Sequence, residues 1–185
     1  MPFLSLDADL PPARRILVAG ASGSGKTTAA ARLSERLGIP HHEIDALFHG
    51  PGWQPRPQFR DDVARFAATD EWVTEWQYSE VRGLLAERAE LLVWLDLPRR
   101  TVTRQVVKRT LRRRLLREEL WNGNIEGPLR TFFTDPEHIV RWSWQGHARY
   151  PGLIADVAAR RPQLPIVRVG SRRELTRLIE RLPRA

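Results

Sequence analysis

Cysteine is absent from this 185-residue chain, which excludes disulfides and thiolate-held metals and fits a reducing compartment. Lysine is nearly absent too. Only Lys26 and Lys108 occur among thirty basic residues, and the other twenty-eight are arginines. Long apolar runs are missing, the longest being Leu91 to Leu95. That is a strand's length, far below the ~20 residues of a membrane span. The opening MPFLSLDADLPPARR has no basic stretch followed by an apolar one, so a signal peptide is not expected. The fourteen prolines and twelve glycines are scattered, so neither a linker nor a low-complexity segment divides the chain. The length predicts one domain spanning residues 1–185 in a cytoplasmic protein.

Acidic residues are also missing where basic ones gather. The net charge is +8, and Arg99 to Arg117 alone holds nine basic residues and no acidic one. Such a patch implies an anionic partner. Nucleic acid and the phosphates of a nucleotide both qualify, and the patch does not choose between them.

Lys26 is conspicuous because it closes the run GASGSGKTT, residues 20–28. Gly20, Gly25, Lys26 and Thr27 fit the phosphate-binding pattern G-x-x-x-x-G-K-[ST], with an extra glycine at Gly23. Arginine's planar fork does not replace lysine's compact ammonium, which acts as a point charge on phosphate. The backbone N–H groups of Gly20, Ala21, Ser22, Gly23, Ser24, Gly25, Lys26, Thr27 and Thr28 are expected to converge on ATP phosphates as an anion nest. Lys26 would reach the β- and γ-phosphates, and the Thr27 hydroxyl would face Mg²⁺.

The flanking pattern supplies the context this loop needs. Arg15 to Ala19 reads as a buried strand, and Lys26 to Leu37 as a helix closed by Gly38 and Pro40. Strands are then expected at His41–Asp45, Trp72–Trp76, Leu91–Asp96 and Ile166–Val169. Helices are expected at Gln58–Ala68, Ser79–Arg88, Arg99–Arg117, His138–Arg160 with a break at Tyr150-Pro151, and Arg172–Leu182. Residues 1–13 read as a loose leader, and 46–57 and 118–137 as mostly irregular. Five strands alternating with helices predict an α/β fold. It is a three-layer P-loop fold with a five-stranded parallel sheet and helices on both faces. Ligands then bind at the carboxyl ends of the strands.

Several P-loop classes are excluded. With two lysines only, the guanine-reading motif N-K-x-D is absent, and so is LSGGQ. The strongest strand ends Asp96-Leu97-Pro98, without the Asp-Glu pair of ring-forming motors. Small kinases remain.

The chain resembles adenylate-kinase-like P-loop proteins labelled "DNA topology modulation protein" or "AAA family ATPase", relatives of nucleoside-monophosphate and shikimate kinases. The resemblance rests on GASGSGKTT, EIDAL followed by Pro51-Gly52-Trp53, LLVWLDLP, the arginine helix, ELWNGN (119–124) and RWSW (141–144). It implies a phosphotransferase moving the γ-phosphate of ATP to a small acceptor such as a nucleoside monophosphate. The acceptor would lie against about residues 46–70, under a helical lid at about 109–140. Lid arginines Arg104, Arg109 and Arg113 would meet the phosphates. The alternatives for the basic helix are a solvated face or a nucleic-acid patch, and those for the whole chain are an ATP-dependent regulator or a nucleic-acid-associated ATPase.

Asp45 is the candidate base for an acceptor hydroxyl, with a helix cap or surface acid as the alternative reading. Glu75 stands where relatives differ, so Glu75, Asp45 or Asp96 could hold a Mg²⁺-bound water, Asp96 being read mainly as structural. Ile125 replaces an arginine frequent in relatives, and Arg130 is a candidate substitute. Trp53 is expected to pack in the core rather than stack on an acceptor ring. His41, His42 and His49 do not suggest a zinc site, because the adjacent pair alternates sheet faces. Val169-Gly170-Ser171 is expected near adenine.

Overall fold

The structure, a computed structural model, describes residues 2–116, 119–124 and 139–183. Six strands form one parallel sheet: β1 (Phe3–Leu4), β2 (Arg15–Gly20), β3 (His41–His42), β4 (Trp72–Glu75), β5 (Leu91–Leu95) and β6 (Ile166–Val169). Their order is β1-β6-β5-β2-β4-β3. The helices are α1 (Lys26–Leu37), α2 (Ile44–Phe48), α3 (Phe59–Ala67), α4 (Ser79–Arg88), α5 (Arg99–Leu115), α6 (Ile139–Arg160) and α7 (Arg172–Arg181). Single 3-10 turns lie at Pro51–Trp53 and Trp121–Gly123.

Side-chain alternation along the central strands builds two cores. Leu17, Ala19, Leu92 and Trp94 face α3, α4 and α6 through Val63, Phe66, Leu85 and Ile154. Ile16, Val18, Leu91, Val93 and Val167 face α1 and α7 through Ala29, Leu33, Leu178 and Ile179. Strands buried on both sides read as continuous apolar runs. That is why RILVA and LLVWL were legible.

Three expectations need correction. The sheet has six strands, not five, because the leader is not loose. Phe3 and Leu4 pair with Ile166 and Val167, while Leu4, Leu6 and Leu10 cover the second core. The second strand stops after His42. The N–H of Ile44 donates to Glu75 Oε2 at 3.1 Å instead of continuing a ladder, so Asp45 sits in the first turn of α2. Helix α6 is also unbroken at Tyr150-Pro151. Proline removes one helical hydrogen bond, but Tyr150, Leu153, Ile154 and Val157 on either side are held in the core. Ile125, Arg130 and part of the expected lid lie outside the described residues.

Candidate functional site

The glycine-rich turn links the carboxyl end of β2, a central strand, to α1. Gly20, Gly23 and Gly25 have φ values of 153°, 82° and 92°, and the last two lie in the left-handed region that glycine tolerates best. Gly25 is the residue before α1, which starts with no side-chain cap and no acidic residue in its first turn. The first amides of a helix lack intrahelical partners, and their dipoles favour an anion. The Ser24 hydroxyl beside them is buried without a hydrogen-bond partner among the described residues. Thr27 stands in the first turn of α1, where a hydroxyl can face a metal on phosphate.

Lys26 is buried, and among the described residues its Nζ donates only to the carbonyl of Ala21, at a long 3.3 Å. Burial pushes its pKa down, and Arg109 adds to this, while Asp45 and Glu75 oppose it. A buried ammonium with one weak acceptor is a group built to meet an anion. The cradle therefore has the free amides, the ammonium and the hydroxyls that phosphate oxygens and their counter-ion require.

Helix α5 roofs this loop. Val102 and Val106 are buried, and a Cβ on Gly23 would stand 2.1 Å from Val106 Cγ2. Only glycine lets the helix sit there. At 3.6 residues per turn, Arg109 and Arg113 share the face of Val102 and Val106, whereas Arg104 lies roughly opposite. Accordingly Arg109 acts electrostatically on Lys26, Arg113 lies 5.9 Å over the Trp121 ring, and Arg104 is exposed. The structure separates Arg104 from the other two.

On the opposite side of Lys26 lie the acids. Asp45 Oδ1 accepts from the Tyr78 hydroxyl at 2.6 Å and from the Gln77 side-chain amide. Glu75 is almost fully buried. Burial pushes its pKa up, but a hydrogen bond from His41 and the Ile44 N–H outweigh it and hold it low. Both Glu75 oxygens are thus occupied, one by His41 at 3.3 Å and the other by Ile44. Asp96 is bound by Arg168 at 2.5 and 2.7 Å, which places it as a structural acid.

An aromatic wall completes the acid side. Trp53 is 38% exposed, so the expectation of core packing was wrong. Its ring meets His49 edge-on at 5.1 Å and Trp121 at 6.3 Å, while Trp121 stacks on His49 at 5.8 Å. The segment 119–124 is fixed there by two asparagines. Asn124 accepts from the Trp53 N–H at 3.0 Å and donates to Gly50 and Trp121 carbonyls at 2.9 and 2.8 Å. Asn122 donates to the His49 carbonyl at 2.5 Å. The three histidines go to separate partners: His41 to Glu75, His42 onto the Phe66 ring and His49 to Tyr78.

Sequence reasoning missed Gln77, Tyr78, His49, Trp121, Arg82 and Tyr150. Burial raises the Tyr150 pKa to about 12, with Arg82 and the Gly20 backbone acting against it. Arg82 is half-buried, lies 5.8 Å over Trp76 and has no carboxylate partner among the described residues. The run ELWNGN did carry a signal, since its asparagines flank a glycine that permits a tight turn. Gly170, expected near adenine, already donates its N–H to Glu174 at 2.7 Å in the cap of α7.

No family model matches the chain, and no curated protein matches it. Solved structures do resemble it. A sugar kinase from Janibacter sp. HTCC2649 is 23% identical, with 92% of each chain covered and a TM-score of 0.48. A gluconokinase from Sinorhizobium meliloti 1021 is 23% identical, covering 77% of this chain and 96% of its own, with a TM-score of 0.40. A shikimate kinase from Bacteroides thetaiotaomicron is 15% identical, covering 92% and 96%, with a TM-score of 0.48. Their acceptors are their own, and the reading of this chain rests on its residues. Among the described residues no helix is long and apolar enough to cross a membrane.

Proposed function

We propose that this chain is an ATP-dependent phosphotransferase acting on a small hydroxyl-bearing acceptor. The observation that carries the reading is the pairing across Lys26. An uncapped, glycine-formed phosphate cradle lies on one side, and Asp45, held by Tyr78 and Gln77, lies on the other. Phosphoryl transfer needs positioning and charge stabilisation more than covalent help. Lys26, Arg109 and the loop amides hold the transferring phosphate. Mg²⁺, when bound, neutralises charge on the phosphate oxygens, with Thr27 as its protein ligand. The acceptor oxygen forms a bond to the γ-phosphorus, the bond from that phosphorus to the bridging oxygen breaks, and ADP leaves. The hydroxyl proton passes to Asp45. The Trp53–Trp121 wall and Arg82 suit an acceptor with a flat ring and an acidic group, as a nucleoside monophosphate has.

The test is ADP release with a panel of nucleoside monophosphates, sugars and hydroxy acids. One class should raise the rate, and Lys26→Ala should abolish the rise. A rate that no acceptor changes refutes the reading in favour of an ATPase. A second reading draws on Arg100, Arg104 and Lys108. They are exposed at i, i+4 spacing on the outer face of α5, and none has a carboxylate partner among the described residues. Contact with nucleic acid there would steepen the dependence of log K on log salt by about 0.9 per phosphate.

A further inference from the structure

The three non-glycine residues with positive φ among the described ones are Trp53, Tyr78 and Asn122, at 62°, 60° and 55°. Such conformations are strained and gather where function requires them. All three touch His49. Trp53 meets its ring edge-on, the Tyr78 hydroxyl lies 3.2 Å from Nε2, and Asn122 binds its carbonyl. This strain therefore centres on a histidine that the phosphoryl-transfer scheme does not use.

Hydrogen-bond chemistry fixes the direction of the contacts. An ionised carboxylate only accepts, so the Tyr78 hydroxyl gives its proton to Asp45 Oδ1 at 2.6 Å. What Tyr78 then offers His49 is a lone pair, and Nε2 must carry the proton. His49 Nδ1 is buried with no partner among the described residues, enclosed by Trp121, Trp53 and Phe48. In neutral imidazole this nitrogen is a bare lone pair. In imidazolium it would be a buried donor without an acceptor, which is costly. The surroundings thus hold His49 neutral as the Nε2–H tautomer. The result is a chain of donors running from His49 through Tyr78 to Asp45, with Asp45 Oδ2 left to receive a proton.

We propose that His49 is a positioning residue that acts on Asp45 through the Tyr78 hydroxyl and couples the basicity of Asp45 to its own protonation. The inference rests on the reading of Asp45 as the base. A proton on His49 turns the first donor into a cation, strengthens the Tyr78 bond to Asp45 and lowers the proton affinity of Asp45. Linkage makes the effect reciprocal, and the charge of Asp45 does raise the His49 pKa against the downward push of burial. The other groups facing this chain are Lys26 of α1, Glu75 of β4, which acts on Tyr78, Tyr150 of α6, Arg113 of α5 beyond Trp121, and Glu43, which accepts from Trp121. Glu75 and Glu43 are the carboxylic acids among these, and burial raises the Glu43 pKa while the Trp121 bond lowers it.

The test is carbon-13 carboxyl and nitrogen-15 imidazole NMR of the full chain against pH, without ATP or acceptor. His49 should appear as the Nε2–H tautomer, and the Asp45 carboxyl should show a second, smaller inflection where His49 titrates. In H49Q, which keeps a neutral N–H donor, that inflection should vanish. In Y78F it should vanish as well. An inflection that persists in H49Q, or a His49 found as the Nδ1–H tautomer, overturns the proposal. H49Q decides the matter alone if Y78F fails to fold. Because no acceptor is involved, failure of the kinase reading shows instead in the acceptor panel and leaves this result distinguishable. With an acceptor in hand, H49Q should also remove the acid limb of kcat that His49 shapes, and an unchanged limb contradicts the proposal.

Discussion

Gly23→Ala tests whether α5 is seated on the phosphate loop. The new Cβ meets Val106 Cγ2 at 2.1 Å and the Val102 carbonyl at 3.3 Å, at a φ of 82°. A left-handed non-glycine residue costs about 1–2 kcal/mol, and overpacking a buried contact costs about 1–3 kcal/mol. Together the loss is roughly 2–5 kcal/mol, a large part of the ~5–15 kcal/mol of an ordinary domain. For a chain of this size each kcal/mol lowers Tm by about 2–4 °C. Thermal unfolding should therefore drop by about 4–20 °C, and ATP should bind more weakly because the roof has shifted. The decisive arm is the double variant with Val106→Ala. Removing the valine methyls abolishes the overlap but not the φ strain, so the double variant should be less destabilised than the sum of the single ones by about 1–3 kcal/mol. Additivity within about 0.5 kcal/mol would refute the packing of α5 against Gly23.

Four further outcomes are expected. Lys26→Met should weaken ATP binding by roughly 10–100-fold, the value of a charge-assisted contact of about 1.5–3 kcal/mol, and calorimetry reads this directly. Arg82→Ala should raise the acceptor KM by a similar factor of about 10–100 with kcat largely kept; a fall in kcat alone would place Arg82 on the transferring phosphate instead. Asn124→Ala leaves the Trp53 N–H and the Gly50 and Trp121 carbonyls without their partner. It should cost about 1–3 kcal/mol and shift Trp53 and Trp121 fluorescence, whereas an unchanged spectrum denies the docking of residues 119–124. Stability should also fall on acidification. His42 and His49 have pKa values lowered from 6.5 by burial. Both are neutral in folded and unfolded chains above that value. Below it the unfolded chain takes up protons first, and stability is lost as pH falls through the lowered folded values. Tm should thus be lower at about pH 5.5 than at about pH 7.5, and H49Q should lessen the drop; equal Tm values would contradict the burial of these rings.

What could be read from the sequence follows from how locally each feature is determined. The turn between β2 and α1 was legible because its glycines set the backbone locally. β2 and β5 were legible because double burial leaves an apolar run. β1 was not, since Phe3 and Leu4 become a strand only through a distant partner at Ile166 and Val167. The end of β3 was misjudged because a carboxylate remote in sequence, Glu75, captures the Ile44 N–H. Arg109 and Arg113 were grouped by helical spacing, but adding Arg104 ignored that two residues from Val102 or Val106 is the far side of a helix. Asp45 was singled out by its position, whereas its contacts with Tyr78 and Gln77 and the place of His49 were not legible. Their role arises where α2, the start of α4 and the 119–124 segment converge, and no spacing along the chain encodes that meeting.

The most direct test of the account follows the γ-phosphate of labelled ATP in the presence of hydroxyl acceptors, with Lys26→Ala and Asp45→Asn beside the native chain. The account predicts label on an acceptor oxygen for the native protein and none for Lys26→Ala. Asp45→Asn should slow transfer by about 10²–10⁴-fold while ATP binding is retained. Label released only as inorganic phosphate, at a rate that no acceptor and no change at Asp45 alters, would contradict it.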